Sequence, residues 1–329
     1  MSEYIVTGGC GFIGSHLVRA LLSQGREVVV FDNLSTGFER NLAPGARLVR
    51  GDVRDEGQIA RAVQTADVVF HLAANSNTTV SINAPRADFE TNTQGTFNVL
   101  EAALNAQVEK VVYVSSASVY GVPQSTPIGE HHPIGPFVPY GASKFSGEIF
   151  CNIFYETYDL PVVIVRPFCV YGPGENPEVA LVEVSRYLRW HLNGGPIHVV
   201  GDPDRKTRDF VHVSDVVRGL IMLADHGAAG EIYNLGSGEE VTIRQLTDAI
   251  GVITDRRTTV RPVLQMTEDS YRLVSDISKA RSHGYAPRVS LDAGLRQLVQ
   301  HLGPHPTLPS GETIFRAGQQ DQATVSRPS

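Results

Sequence analysis

The chain has few soft or oxidisable side chains: three cysteines, three methionines and one tryptophan among 329 residues. Cys10, Cys151 and Cys169 stand far apart, with neither zinc-ligand spacing nor the density of a disulfide framework. That excludes a small stapled scaffold and a cysteine-bound zinc, and it predicts a reducing, cytoplasmic home with no metal site. Long apolar runs are missing too. Nothing approaches the ~20 residues that cross a bilayer. Strand-like sequence starts almost at the first residue, so neither a signal peptide nor a membrane partner is expected. An excess of positive charge is also lacking, with 28 Lys and Arg against 35 Asp and Glu, a net charge of −7 and a pI near 5.9. Basic residues are scattered apart from Arg205, Lys206 and Arg208, which argues against a nucleic-acid partner. No internal repeat is visible.

What is present suits a globular protein of roughly two domains, 42% hydrophobic and 19% charged. Its most informative stretch is Tyr4-Ile5-Val6-Thr7-Gly8-Gly9-Cys10-Gly11-Phe12-Ile13-Gly14, a β-branched run that ends in glycines before an amphipathic segment over residues 12–23. Gly8 lets a strand turn sharply. Gly11 removes the side chain that would hold a pyrophosphate off the backbone. Gly14 lets the new helix pack closely on the strand. The helix then points unpaired N–H groups and a positive dipole end at the phosphates. Glycine triplets also occur in plain turns, so context matters. A second strand over residues 27–31 ends in Asp32, 18 residues after Gly14, near the expected interval of about 20. A carboxylate there accepts hydrogen bonds from both ribose hydroxyls and repels a 2′-phosphate, so NAD is expected rather than NADP. The competing reading has Asp32 merely capping the turn through Asn33 and Leu34.

Strand and helix alternate through the first half. Strands are expected over residues 4–7, 27–31, 47–50, 67–72, 110–114 and 161–165, and helices over 12–23, 56–64, 85–105 and 140–158. Continuous apolar strands separated by helices imply an α/β protein whose doubly wound parallel sheet is covered on both faces, with ligands at the carboxyl ends of the strands. Beyond Pro167 the pattern loosens. Helices over 179–192, 214–224 (capped by Ser214), 243–253 and 291–301 and a strand over 197–200 suggest a smaller α/β substrate-binding domain. A strand near 232–236 is expected to return to the main sheet. The expected division is a dinucleotide-binding domain at 1–167, a mainly substrate-binding domain at 168–302 and a loosely attached tail at 303–329, poor in large apolar groups.

Tyr140 and Lys144 stand one helical turn apart on one face. A tyrosine ordinarily ionises near pH 10. An adjacent ammonium and the positive ring of NAD⁺ favour the phenolate, so Tyr140 could take a proton from a sugar hydroxyl while hydride leaves the same carbon. Ser116, with Ser118 beside it, could bond the reacting oxygen. Each feature has a plainer reading: Tyr and Lys at this spacing are common on helices, and serines often cap backbone groups.

Taken in order, residues 7–16, 32–37, 71–74, 92–96, 116–121, 140–144, 170–174 and 208–213 resemble the extended short-chain dehydrogenase/reductase family. The likeness covers about residues 3–302 and is nearest to nucleotide-sugar epimerases of the UDP-glucose 4-epimerase kind. It implies a Rossmann-type sheet and NAD as cofactor. Gly8, Gly11, Phe12, Ile13 and Gly14 would hold the pyrophosphate, Asp32 and Asn33 the adenosine ribose, and Asp52 and Val53 would flank adenine. Leu72, Ala73 and Ala74 would line the dinucleotide channel with Asn92 near it, and Phe168 would pack near the nicotinamide. Tyr140 would be the base, Lys144 would bind the nicotinamide ribose, and Ser116 would complete the centre. Ser116, Ser118, Tyr140, Cys169 and Arg208 would meet the substrate, Arg208 through its phosphates; an ion pair of Arg208 with Asp204 or Asp209 is the alternative. The sequence departs from the family's pattern at three places. Ala117-Ser118 replaces the Asp-Glu of the sugar dehydratases, which points to epimerisation at C4 of a UDP-hexose through a 4-keto sugar. Related decarboxylases also keep the second acid. Cys169 stands where many members have asparagine, and Met266 where an arginine often helps bind the nucleotide. A dehydratase, decarboxylase or reductase on the same fold is the alternative chemistry, and a non-catalytic NAD sensor the alternative class. The helices over 85–105 and 140–158 resemble the pair that joins family subunits, implying a homodimer.

Overall fold

The computed structural model describes residues 3–179, 182–263 and 271–309. The chain opens with β1 (Glu3–Thr7), α1 (Phe12–Ser23), β2 (Glu27–Asp32), β3 (Arg47–Arg50), α2 (Glu56–Val63) and β4 (Val68–His71). Helices α3 (Thr78–Asn83), α4 (Pro85–Phe89) and α5 (Gly95–Asn105) follow, then β5 (Lys110–Val114), α6 (Pro139–Tyr158) and β6 (Val162–Pro167). Next come β7 (Cys169–Tyr171), α7 (Glu183–Leu192), β8 (Ile197–Val200), β9 (Thr207–Arg208), β10 (Phe210–His212), α8 (Val213–His226) and β11 (Ile232–Leu235). The described chain closes with β12 (Val241–Thr242), α9 (Ile243–Thr254), β13 (Val260–Val263), β14 (Arg272–Leu273), α10 (Ser278–Ser282) and α11 (Leu291–Leu302).

Seven strands form one sheet in the order β11-β6-β5-β4-β1-β2-β3, every neighbouring pair parallel. The order reverses between β1 and β4, which opens a crevice at their carboxyl ends. This is a Rossmann-type α/β fold. Strands such as Val68–His71 and Val162–Pro167 are buried along their whole length because both sheet faces are covered. One face packs against Leu17, Val18 and Leu21 of α1 and Val216, Val217 and Leu220 of α8. The other packs against Ile59 of α2, Val99 and Leu100 of α5, and Cys151 and Phe154 of α6. Full burial of each such aliphatic side chain contributes ~1.5–3 kcal/mol. A separate core holds Tyr171, Leu188, Ile197, Phe210, Leu246 and Leu295.

Several local expectations change. The chain passes between the two cores more than once: β11 returns to the sheet beside β6, as expected of residues 232–236, and α8, also beyond residue 167, covers the main sheet. Residues 85–105 are not one regular helix, because Glu90–Gln94 is a π-helical turn between α4 and α5. Helix α7 starts at Glu183 rather than 179, with 180–181 outside the described residues. His212, not Ser214, caps α8: its Nδ1 accepts the Ser214 N–H, so the cap lies two residues earlier. The start of the expected tail is held down, since Arg189 and Asn193 donate to the carbonyls of Thr307 (2.8 Å) and Pro306 (2.7 Å). Residues 310–329 and Met266 lie outside the described residues. No helix among the described residues is long and apolar enough to cross a membrane.

Candidate active site

The carboxyl ends of the strands border a cavity of about 420 Å³. Its first wall is the β1–α1 turn. Gly8 sits at φ +70°, open to glycine but strained for other residues. A Cβ at Gly14 would lie 2.2 Å from the Gly8 carbonyl oxygen, so any side chain there would force strand and helix apart. The Gly11 N-cap of α1 receives no side-chain hydrogen bond. The helix therefore offers uncapped backbone N–H groups to the cavity, the arrangement that holds a pyrophosphate. Phe12 and Ile13 also line it.

Asp32 ends β2 at the same rim. Its Oδ2 accepts the Cys10 N–H (2.9 Å) and its Oδ1 the Leu34 N–H (2.8 Å). The turn-capping reading is thus correct as far as it goes, yet the carboxylate also lines the cavity and keeps acceptor capacity for ribose hydroxyls. These features fit NAD. Asn33 and Val53 line the cavity as well, but Asp52 does not. Arg54 and Asn33 donate to the Asp52 carboxylate, and the Arg54 hydrogen bond holds it well below the usual carboxylate range.

Leu72, Ala73 and Ala74 form the next wall. Thr7 positions it: its Oγ1 accepts the N–H groups of Leu72 (3.2 Å) and Ala73 (3.1 Å). Asn92 stands behind this wall, fully buried on the π-helical turn, a backbone form frequent at functional sites. Its Oδ1 accepts the Asn75 N–H (2.8 Å) and its Nδ2 donates to the Asn75 carbonyl (3.0 Å), Asp88 and Ser143. Asn92 is therefore near the channel, as expected, and supports its wall without facing it.

Tyr140, Lys144, Ser116 and Ser118 all line the cavity, as do Phe168 and Cys169. Helix α6 reaches this depth because Gly147 meets β5 closely: a Cβ there would lie 2.2 Å from the Tyr113 hydroxyl. That hydroxyl donates to the Lys144 carbonyl at 3.0 Å. The Lys144 ammonium lies over the Tyr113 ring, 4.4 Å from its centroid. Ser116 caps the short 3₁₀ turn Ala117–Tyr120, accepting the Ser118 N–H at 3.1 Å, so its plainer role is also real. Its hydroxyl shares the cavity with the Tyr140 phenol.

The expected depression of the Tyr140 pKa does not occur in the protein alone. Burial pushes the phenol up to about 12, the Ser116 hydroxyl opposes that, and the Asp88 charge adds to it. Burial also brings Lys144 down to about 8, opposed by the nearby Glu148 and Asp88. A low-dielectric site disfavours both charged forms, so the phenolate needs further positive charge.

Sequence reasoning missed the polar layer behind these residues. Asp88 is buried and accepts from Ser143 (2.6 Å), Asn92 (3.1 Å) and Asn75 (3.1 Å), tying α6 to the π-helical turn. Glu148 is paired with Arg166 and accepts from Ser115, with both charged side chains buried. Spacing carried a signal for each: Asp88 precedes Asn92 by one turn, and Tyr140, Lys144 and Glu148 share one helical stripe. Arg208 departs from expectation. It does not line the cavity, and it is ion-paired with Glu183, Nε to Oε1 at 3.2 Å. Asp204 pairs with Arg244, and Asp209 accepts from Ser237, Gly238 and Ser275.

A glycine cradle at a sheet's switch point, leading to a Ser/Tyr/Lys cluster in the same cavity, defines a dinucleotide-dependent enzyme of the short-chain dehydrogenase/reductase type. The chain belongs to the NAD dependent epimerase/dehydratase family, whose model matches residues 4–236. It is 36% identical to a putative UDP-glucose 4-epimerase of Methanocaldococcus jannaschii over 301 residues, covering 91% of this chain and 97% of that one. The crystal structure of UDP-glucose 4-epimerase from Thermus thermophilus in complex with NAD superposes with a TM-score of 0.85 at 35% identity, covering 91% and 98%. DesIV, a dTDP-glucose 4,6-dehydratase from Streptomyces venezuelae, superposes with a TM-score of 0.84 at 37% identity, covering 91% and 96%.

Proposed function

We propose that the protein is an NAD-dependent nucleotide-sugar epimerase, inverting C4 of a UDP-hexose through a 4-keto sugar. The observation that carries this is that Ser116, Tyr140 and Lys144 line one cavity whose 116–118 edge is Ser-Ala-Ser, without a carboxylate. Bound NAD supplies the acceptance and return of hydride at the sugar carbon, and its oxidised ring brings positive charge. Gly8, Gly11, Phe12, Ile13 and Gly14 hold its pyrophosphate, while Asp32 and Asn33 hold its adenosine ribose. Val53 flanks adenine, and Lys144 binds the second ribose. Tyr140 Oη takes the proton of the sugar's 4-hydroxyl and later gives it back, and Ser116 Oγ holds the same oxygen. Lys144 keeps a positive charge one turn from the phenol. Phe168, Leu72 and Val114 make that end of the cavity apolar and exclude water. Arg208, behind Glu183 at the cavity's edge, pairs with the substrate's diphosphate.

The dehydratase reading draws on the 37% identity to DesIV. Yet at 117–118 this chain offers Ala117 and Ser118, neither of which can remove a C5 proton as an acid pair would. Incubation with UDP-galactose, UDP-glucose, their N-acetyl forms and the uronic acids, followed by product analysis, tests the proposal. A C4 epimer formed without net NADH is expected. Loss of water or CO₂ would move the assignment within the family, and inertness towards every nucleotide sugar with NAD bound would falsify the substrate class. Three free cysteines support a reducing, cytoplasmic compartment. Exposed apolar residues on α4 and α6 support a homodimer.

A further inference from the structure

One segment beyond the main sheet reaches back to the glycine cradle. Residues 173–176 follow β7, and two hydrogen bonds fasten them to the dinucleotide side of the cavity. The Pro173 carbonyl accepts from His16 Nε2 at 2.8 Å, and Asn176 Nδ2 donates to the Thr36 carbonyl at 2.8 Å. Both anchors belong to the cradle. His16 stands on α1 two residues after Gly14. Thr36 precedes Gly37, where a Cβ would lie 2.8 Å from the Cys10 carbonyl carbon, so the loop after β2 rests directly on the Cys10–Gly11 backbone. The other side of the segment is fastened too. Glu175 Oε1 accepts the Gly172 N–H at 3.1 Å. The buried Arg189 of α7 donates to the Glu175 carbonyl at 3.3 Å and to that of Thr307 at 2.8 Å. Glu175 and Asn176 line the cavity together with Thr36 and Gly37. Burial raises the Glu175 carboxyl to about 8, so at pH 7 it is mostly protonated and adds little negative charge where phosphates bind.

We propose that residues 173–176 are a strap at the NAD cavity, latched by Asn176 to Thr36 and by His16 to Pro173, which sets how fast the cofactor enters and leaves without setting how tightly it binds. Both latch bonds run from protein to protein. Neither donor is spent on the cofactor, so the latch is as favourable with NAD bound as without it. An interaction indifferent to a ligand shifts no binding equilibrium. To open, the strap must give up both bonds, so the latch lowers the open fraction and slows entry and exit by the same factor. The purpose follows from the epimerase reading above. A reaction with no net redox change leaves its cofactor as it found it, so nothing is gained by exchange between turnovers. The gate itself rests only on NAD occupying the cavity.

Exchange of isotopically labelled NAD against unlabelled NAD, followed by rapid desalting and mass spectrometry, tests this in the full chain. Asn176→Ser and His16→Phe are compared with the wild type. Serine can still accept the Glu178 N–H that Asn176 Oδ1 accepts at 3.0 Å, but it is too short to reach Thr36. Phenylalanine keeps a ring against Phe12 and has no proton to give. Each variant is expected to release NAD about tenfold faster, with a dissociation constant in equilibrium dialysis within about twofold of the wild-type value. The melting temperature should hold, and the double variant should release NAD faster than either single one. Release at the wild-type rate from folded variants overturns the proposal. So does faster release matched by an equal loss of affinity, which would make the two side chains supports of the bound cofactor rather than a gate. No sugar enters the measurement, so product analysis with nucleotide sugars judges the epimerase reading separately.

Discussion

His71 shows how completely single residues around the cavity are specified. Thr96 Oγ1 spends its proton on the Asn92 carbonyl (2.6 Å), so His71 Nε2–H must be the donor in its 3.0 Å contact with Thr96. Thr7 Oγ1 already accepts two backbone N–H groups, so it donates to His71 Nδ1 at 2.7 Å. Only the neutral Nε2–H tautomer satisfies this chain. Burial, with Lys144 adding to it, holds the ring at about 3 rather than 6.5. A folded-state pKa below the unfolded value means the unfolded chain takes up the proton first as pH falls. The stability that His71 lends is present above pH 6.5 and lost from there down towards 3. Between pH 6.5 and 5 the loss is about 2 kcal/mol. Thermal melts across that range should show a steeper fall for the wild type than for His71→Asn; parallel curves would remove His71 from the acid response. Tyr140 gives the complementary prediction. Tyr140→Phe keeps the ring in its packing and removes the proton carrier. Turnover should fall at least about a hundredfold, while NAD affinity and melting temperature hold. A variant that turned over normally would remove Tyr140 as the proton carrier.

At the scale of elements, the β1–α1 turn and helix α6 carry the most constraint. Gly14→Ala places a methyl group 2.2 Å from a backbone oxygen, with no flexible side chain to yield. The turn must open, so NAD binding should weaken at least tenfold and the melting temperature should drop; unchanged NAD affinity would show that the cradle tolerates the shift. These two elements were legible in the sequence because glycine spacing and the i, i+4 pair of Tyr140 and Lys144 are local. Strands β1, β2, β4, β5 and β6 were legible as continuous apolar runs. The π-helical turn at Glu90–Gln94 was not, because one extra residue per turn leaves the apolar positions on nearly the same face. Helix α8 was assigned to the wrong cap because Ser214 is an ordinary capping residue, whereas His212 caps through a ring nitrogen that only the folded loop aims. Arg208 was singled out from its motif, but Glu183, its ion-pair partner, was not. Glu183 lies 25 positions away and meets it only in the tertiary fold.

At the scale of the whole molecule, two packed helices among the described residues carry apolar side chains that the chain leaves half uncovered. Phe89 at the end of α4 is 53% exposed, and Ile149 and Ile153 on α6 are 44% and 43% exposed. The two isoleucines stand one turn apart, so they share a face of a helix whose opposite side carries Lys144, Glu148 and Cys151 into the protein. Scattered apolar residues on a surface need no explanation, but a row on two helices packed together is what a partner surface presents. A second copy of the chain fits, because a two-fold axis beside α6 would bring each row against its equal. Sedimentation at micromolar concentration should give about twice the mass of one chain for the wild type. Ile149→Lys combined with Ile153→Lys should give a single chain. Because both side chains are already half in water, the double substitution should barely change the melting temperature of the monomer beyond the loss of association, which separates lost pairing from unfolding. Asp88 and Ser143 lie on the inner side of the same helices, so the monomeric variant also measures whether pairing steadies Tyr140. Retained turnover with lost dimer mass would make the interface independent of the site. Parallel loss of both would make the helix pair the support that the phenol needs.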